Sequence, residues 1–267
     1  MFFDTHAHLT WPDFDSDIDG VIERATAAGI TRMVTIGTDA ESSRRAVELA
    51  GRFPNVYAAI GWHPGDVDEA PDDVRPTLRE LAGAPRVVAI GETGLDYYRL
   101  PSTRGGSVED DEPYRSRQKH LFRQQLELAV EFKKNVVIHT RGDCFEDTIS
   151  IFENYADRLR AVFHCFVESV ANMERIFTLG SLVSFTGILT FKNGQNVRDA
   201  LMAAPLGKFM LETDSPFLAP VPYRGKRCEP AYVSLIAASA AEIKGCSLEE
   251  LSSVTCEAAR QFFGGLE

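Results

Sequence analysis

The sequence predicts an α/β fold: a (β/α)8 barrel of eight parallel strands followed by an extra C-terminal helix. Three observations carry that expectation. Short β-branched or aliphatic runs recur eight times along 267 residues. Stretches of helical periodicity separate them, so successive strands must be joined by crossovers and pair in parallel. The runs themselves are nearly continuous in apolar residues, as burial on both faces requires. One such barrel typically takes about 250 residues, so residues 1–267 are expected to form a single domain. A doubly wound open sheet competes, but no GxGxxG or Walker A sequence supports it.

In chain order, "MFFDTHAHL" is the first strand and "IDGVIERATAAG" the helix that returns from it. "GITRMVTIGT" and the helix "AESSRRAVELAGRF" follow, then the strands "NVYAAIGWHP" and "RVVAIGETGLD". The segment "YYRLPSTRGGSVEDDEP", rich in Gly, Pro and acids, reads as a mobile loop on the strands' C-terminal face. After the long helix "YRSRQKHLFRQQLELAVEFKK" come "NVVIHTR", "RAVFHCF", "SLVSFTGI" and "KFMLETDSP". Two helices close the chain, "EPAYVSLIAASAAEIKG" and the tail "SLEELSSVTCEAARQFFG".

The net charge of −11 argues against a protein that coats nucleic acid through many phosphate contacts. Any such role must be local to one pocket. No apolar run approaches the roughly 20 residues of a membrane span, and the N-terminus turns polar at Asp4. The five scattered cysteines, without a CxxC, suggest free thiols in a reducing compartment. The expectation is a cytoplasmic monomer with no membrane and no obligate protein partner.

Barrel enzymes carry their catalytic groups at the C-terminal ends of the strands. His6 and His8, two apart, project from one side of the first strand. Later strands end in His63, Glu92, His139, His164 and Asp214. Five of the six histidines occupy such ends, and the sixth, His120, falls on a predicted helix. Alternation puts Glu92 on the face of Ile90, His139 on that of Val137, and Asp214 on that of Met210 and Glu212. It turns Cys165 away from His164, toward the helices. His6, His8, Glu92, His139, His164 and Asp214 could converge on one rim, and burying them without a shared partner would be costly. Imidazole mixed with carboxylate suits Zn²⁺, Mn²⁺ or Mg²⁺. Six donors exceed the needs of one tetrahedral ion, which favours two ions bridged by Glu92. The plainer reading of each histidine alone is a hydrogen-bonded core residue, and for His63 a bond within the "GWHP" turn. Asp4 and Glu212 lie deeper and are expected to support the ligating imidazoles, or to form an interior salt bridge.

Taken in order, "DTHAHL", "GWHP", "GETGLDYYR", "VVIHTR", "VFHCF", "SFTGILTFK" and "LETDSPFLAP" resemble the TatD-type metal-dependent deoxyribonucleases, amidohydrolase-like TIM barrels. The likeness runs from residue 1 into the C-terminal helix. It implies that the same six residues ligate metal, and that the chain hydrolyses DNA, often as a 3′-5′ exonuclease. Where many amidohydrolase barrels bridge their metals with a carboxylated lysine on strand four, this one has Glu92. It departs from the family in a longer loop after "GLDYYR", in Cys228 of "RGKRCEP" where asparagine is usual, and in Cys256 at a second asparagine position.

The mechanism so implied is attack by metal-activated water on a phosphodiester, with Asp214 orienting or deprotonating the water and His63 bonding a phosphoryl oxygen. Arg224, Lys226 and Arg227 after strand eight, and Arg141 beside His139, are candidate phosphate contacts. Tyr97, Tyr98, Phe166 and Tyr223 could stack on bases or pack the loops. Arg115, Lys119 and Arg123 read as a solvated helix face. The alternatives are a lactonase, amidase or phosphotriesterase on the same metal site, and a barrel kept only as a scaffold.

Overall fold

A computed structural model describes residues 1–266. Its strands are β1 (Phe2–Ala7), β2 (Ile30–Ile36), β3 (Val56–Ile60), β4 (Val87–Asp96), β5 (Asn135–Arg141), β6 (Ala161–Phe163), β7 (Leu182–Phe185) and β8 (Phe209–Leu211). Seven helices alternate with them: α1 (Ile18–Ala27), α2 (Ala40–Arg52), α3 (Arg75–Ala82), α4 (Asp111–Phe132), α5 (Phe145–Phe152), α6 (Val170–Thr178) and α7 (Gln195–Ala203). Two more follow β8, α8 (Val233–Lys244) and α9 (Leu248–Phe263). Each strand pairs in parallel with the next, β1 through β8. Beyond β8 the chain returns to β1: Ala7 bridges Ser215, Asp214 N–H donates to His6 O at 2.9 Å, and His8 N–H to Ser215 O at 2.7 Å. The result is the expected (β/α)8 barrel, nearly closed, with its extra terminal helix.

Strand alternation divides the apolar residues into two clusters. Met33, Val56, Val136, Phe163, Val183 and Phe209 face the helices, while Phe3, Val34, Tyr57, Val137, Val162, Leu182 and Met210 fill the barrel. Ser247 caps α9 by accepting the Glu250 N–H, and Phe262 and Phe263 from that helix join the interior cluster. Asn135, the first residue of β5, donates to Phe262 O at 2.5 Å. The tail helix therefore plugs the N-terminal end of the barrel, leaving the C-terminal end as the mouth. Cys256 belongs to this plug, its Sγ 3.7 Å from Met1 O. Among the described residues, no helix is long and apolar enough to cross a membrane.

Two expectations need correction at this level. Residues 97–113 are an organised segment, not an open loop. Two short 3₁₀ turns, Pro101–Arg104 and Val108–Asp110, are tied together by the Asp111 carboxylate, which accepts Ser102 N–H at 2.9 Å and Ser102 Oγ–H at 2.7 Å. Nor is the stripe on α4 merely solvated. Lys119 pairs with Asp147 at 2.8 Å, and the Arg115 guanidinium lies 5.1 Å over the Tyr97 ring. Short-range periodicity locates a helix face but says nothing about what a distant helix or loop brings against it.

Candidate metal centre

Simple alternation delivers three of the predicted residues to the mouth. In β5 the interior residue Val137 is followed on the same face by His139, and past the end of β6 Val162 is followed by His164. Met210 in β8 leads likewise to Glu212. Glu92 arrives differently. Ile90 packs with the helix-facing cluster, and the β4–β5 register slips between Ile90 and Thr93, so Glu92 does not share the face of Ile90 as alternation predicted. The slip needs glycine. Gly91 has φ +151° and a Cβ there would lie 2.7 Å from Val137 Cβ, while at Gly94, φ +126°, a Cβ would collide with the His139 carbonyl. Only glycine adopts such angles freely and lets the strands approach.

All six candidate ligands meet at this end, in two groups divided by one carboxylate. On one side His6 Nε2 and His8 Nε2 are 3.2 Å apart. Each lies 3.5 Å from Glu92 Oε2, and Asp214 Oδ1 lies 3.7 Å from the first and 3.3 Å from the second. On the other side Glu92 Oε1 is 2.8 Å from both His139 Nδ1 and His164 Nε2, which are 3.1 Å from each other. The Nε2 of His63 is 3.7 Å from the same oxygen. Donors bound to one ion at about 2.0–2.2 Å in tetrahedral geometry stand about 3.3–3.6 Å apart, which the first group matches closely. Most of these side chains are buried; of the six candidate ligands Asp214 is the most open, at 15 % side-chain exposure. The donor set fits divalent cations.

Electrostatics point the same way. Burial works to raise the Glu92 carboxyl, but the imidazoles of His164, His63 and His6 hold it well below the usual carboxylate range. Asp214 is likewise held low against burial, chiefly by its bond with His8. Burial pushes His6 down, whereas Glu92 lifts His164 against burial, and Asp96 and Glu92 lift His139. Two anionic carboxylates kept away from water call for a cation.

Behind the second group stand two further acids. Glu212 Oε1 is 3.6 Å from His164 Nδ1, within ion-pair but not hydrogen-bond reach, and accepts the Cys165 N–H at 2.7 Å. Asp96, which the sequence reading passed over, lies 3.4 Å from His139 Nε2 through Oδ2 and accepts Tyr98 and Arg99 N–H through Oδ1. The signal was its parity with Gly94 in "GETGLD", visible once Gly94 pairs with His139. Asp4 does not serve the imidazoles. Its carboxylate accepts Thr213 N–H at 3.0 Å and Thr213 Oγ–H at 2.6 Å, stitching β1 to the segment after β8. Burial raises its pKa to about 8.

Cys165 also departs from expectation. β6 ends at Phe163 and Cys165 takes φ +46°, so alternation no longer applies. Its N–H bonds Glu212 at the mouth, and burial, then Asp214 and Glu212, raise its thiol well above the ordinary range. Its Sγ lies 3.7 Å from Thr186 Oγ1. His63 makes the turn bond of the plainer reading, Gly65 N–H to Nδ1 at 2.9 Å, and faces Glu92 as well. His120 stays on α4, bonded to Gln124.

The proposed substrate contacts divide. Arg141 and Tyr98 are exposed on the rim, the guanidinium 4.3 Å over the ring. Arg224 is exposed and covers Phe191 at 3.6 Å. Arg227 is not free for a phosphate: it forks onto Asp17 with two bonds of 2.8 Å and onto Glu229 at 2.7 Å. Sequence proximity to Asp214 could not reveal that Asp17, just ahead of α1, is one of its partners. Phe166 is buried edge-to-face against Phe185 and so not open to a base, while the half-buried Tyr223 stacks one face on Tyr232. Cys228 is fully buried, its N–H donating to Pro216 O.

With the geometry in place, comparison with known proteins is direct. The YabD protein of Bacillus subtilis (strain 168), named an uncharacterized metal-dependent hydrolase, is 38 % identical over 264 residues, covering 98 % of this chain and 99 % of its own. A protein of Erwinia tasmaniensis named 3′-5′ ssDNA/RNA exonuclease TatD is 34 % identical over 268 residues, covering 98 % and 99 %. The crystal structure of YjjV, a TatD homologue from Escherichia coli K12, superposes with a TM-score of 0.89 at 27 % identity, over 98 % of this chain and 97 % of that one. The TatD related DNase family matches residues 3–264. The chain belongs to that family of metal-dependent hydrolases.

Proposed function

We propose that the chain is a 3′-5′ exonuclease that hydrolyses phosphodiester bonds of single-stranded DNA with two divalent ions. The observation that carries this reading is the Glu92 carboxylate, which turns one oxygen to His6 and His8, the imidazoles beside Asp214, and the other to His139 and His164. Held on either side of such a carboxylate, two ions would suit in-line phosphoryl displacement. Relatives named for single-stranded nucleic-acid hydrolysis support the substrate class. The free cysteines suit a reducing cytoplasm.

Divalent ions bound there, Mg²⁺, Mn²⁺ or Zn²⁺, would neutralise charge on the phosphoryl group and acidify a water. The chain's own groups do the rest. Asp214, anionic and the most open of the acids, takes the proton of the attacking water, whose oxygen bonds to phosphorus as the bond to the 3′-oxygen breaks. His63 serves as a neutral donor. Its Nδ1 is occupied by the Gly65 N–H, so Nε2 carries the proton and can give a hydrogen bond to a phosphoryl oxygen. Burial holds its pKa down at about 3, which keeps it neutral. Arg141, braced on Tyr98, meets the next phosphate.

The test is hydrolysis of 5′-labelled single-stranded DNA with each of the three metals, run beside lactone, amide and phosphotriester panels. A ladder shortening from the 3′ end is expected. Turnover of the small esters with intact DNA would replace this reading by the small-molecule one.

A further inference from the structure

Two large aromatic side chains lie open to solvent beside the β1–β8 donors. Trp11 is 39 % exposed and Phe217 43 %. Their rings meet edge to face, 5.0 Å apart at 85°, and each lies 6.3 Å from the His8 ring. The placement is built into the backbone. Trp11 lies three residues past His8 and donates its N–H to His8 O at 3.1 Å, while Phe217 lies three past Asp214 and donates to Asp214 O at 2.9 Å. The two turns are locked together by His8 N–H on Ser215 O at 2.7 Å. Each ring is thus one turn beyond a candidate ligand, and the donors fix where the rings stand.

We infer that the Trp11–Phe217 corner is the seat of a nucleobase, the base of the nucleotide whose phosphate lies at the Glu92 centre. This rests on the nucleic-acid reading above and adds the element that grips the strand. Planes at 85° form a corner, not a flat shelf, so one ring stacks on the base and the other walls it in. A nucleotide carries its base one sugar away from its phosphate, matching rings that flank His8. Stacking tolerates any sequence, because every base presents a π-face. It also needs no positive charge, which suits a chain of net charge −11.

Tryptophan fluorescence tests this directly, because Trp62, the second of two tryptophans, is buried and bonded to Asp66 O. A phosphorothioate thymidine tetranucleotide, added to the Mg²⁺-loaded protein, should quench emission in the natural chain and leave Trp11→Phe unchanged. The same oligonucleotide with an abasic 3′ residue should quench neither. Phe217→Ala should weaken binding about 5- to 150-fold, and Phe217→Tyr should restore it, with thermal midpoints preserved. Emission indifferent to the oligonucleotide, or equal quenching by the abasic form, overturns the inference. If DNA is still degraded while emission stays indifferent, only the corner is lost. Absence of any nucleic-acid hydrolysis is the separate result that removes the broader reading.

Discussion

The two halves of the mouth share Glu92 but are held in different ways. In the β5–β6 half each imidazole has an acid behind it: Asp96 for His139 and Glu212 for His164. Nδ1 of His6, Nδ1 of His8, Nε2 of His139 and Nδ1 of His164 all lack a hydrogen bond, but only the last two have a further acid within ion-pair reach; among the described residues no acid other than Glu92 and Asp214 is within that reach of the His6 or His8 ring. Those rings are fixed by the backbone bonds that close the barrel, and by stacking of His6 on His164 at 4.0 Å. An acid behind a ligating imidazole fixes its tautomer and strengthens it as a donor. The braced half should therefore grip an ion more tightly, while the half beside the open Trp11–Phe217 corner should release and accept one more readily.

The strongest way to break this contrast is Glu92→Gln, which removes the charge both halves share. Hydrolysis should fall by at least about 10³-fold, beyond what one lost electrostatic group usually costs, and elemental analysis should find both ions depleted. Asp96→Asn should lower metal affinity or activity by about 10- to 100-fold and act on the β5–β6 half alone. Depletion of two ions by Asp96→Asn would erase the distinction. Titration with a chelator should be biphasic, one equivalent leaving before the other and the thermal midpoint falling mainly with the second. A single concerted loss would mean the halves are equally held. The smallest effect belongs to Arg227→Ala, outside both halves. It should cost about 1 kcal/mol of stability, read from denaturant midpoints, and leave hydrolysis unchanged, because its partners Asp17 and Glu229 are partly solvated.

Much of this was legible beforehand, and the exceptions are instructive. Histidines at strand ends could be read because their period is local: His6 with His8, Val137 with His139. Glu92 was assigned to the mouth for the wrong local reason, since the slip at Gly91 depends on β5 lying close against β4. Cys165 was misplaced because nothing in "VFHCF" marks where pairing stops. Arg227 looked like a phosphate contact because its partner, Asp17, is 210 positions away. Asp96, Trp11 and Phe217 were passed over, each a short step beyond a residue that had been singled out.

Strand–helix alternation, parallel order and the set of side chains able to bind a cation are readable in the chain alone, because periodicity and residue chemistry act over a few positions. Which oxygen of Glu92 faces which imidazole, which acids stand behind them, and which arginine is already paired emerge only once the chain is folded. Those are pairings between distant elements, selected by barrel closure and by the cost of leaving a buried charge without a partner.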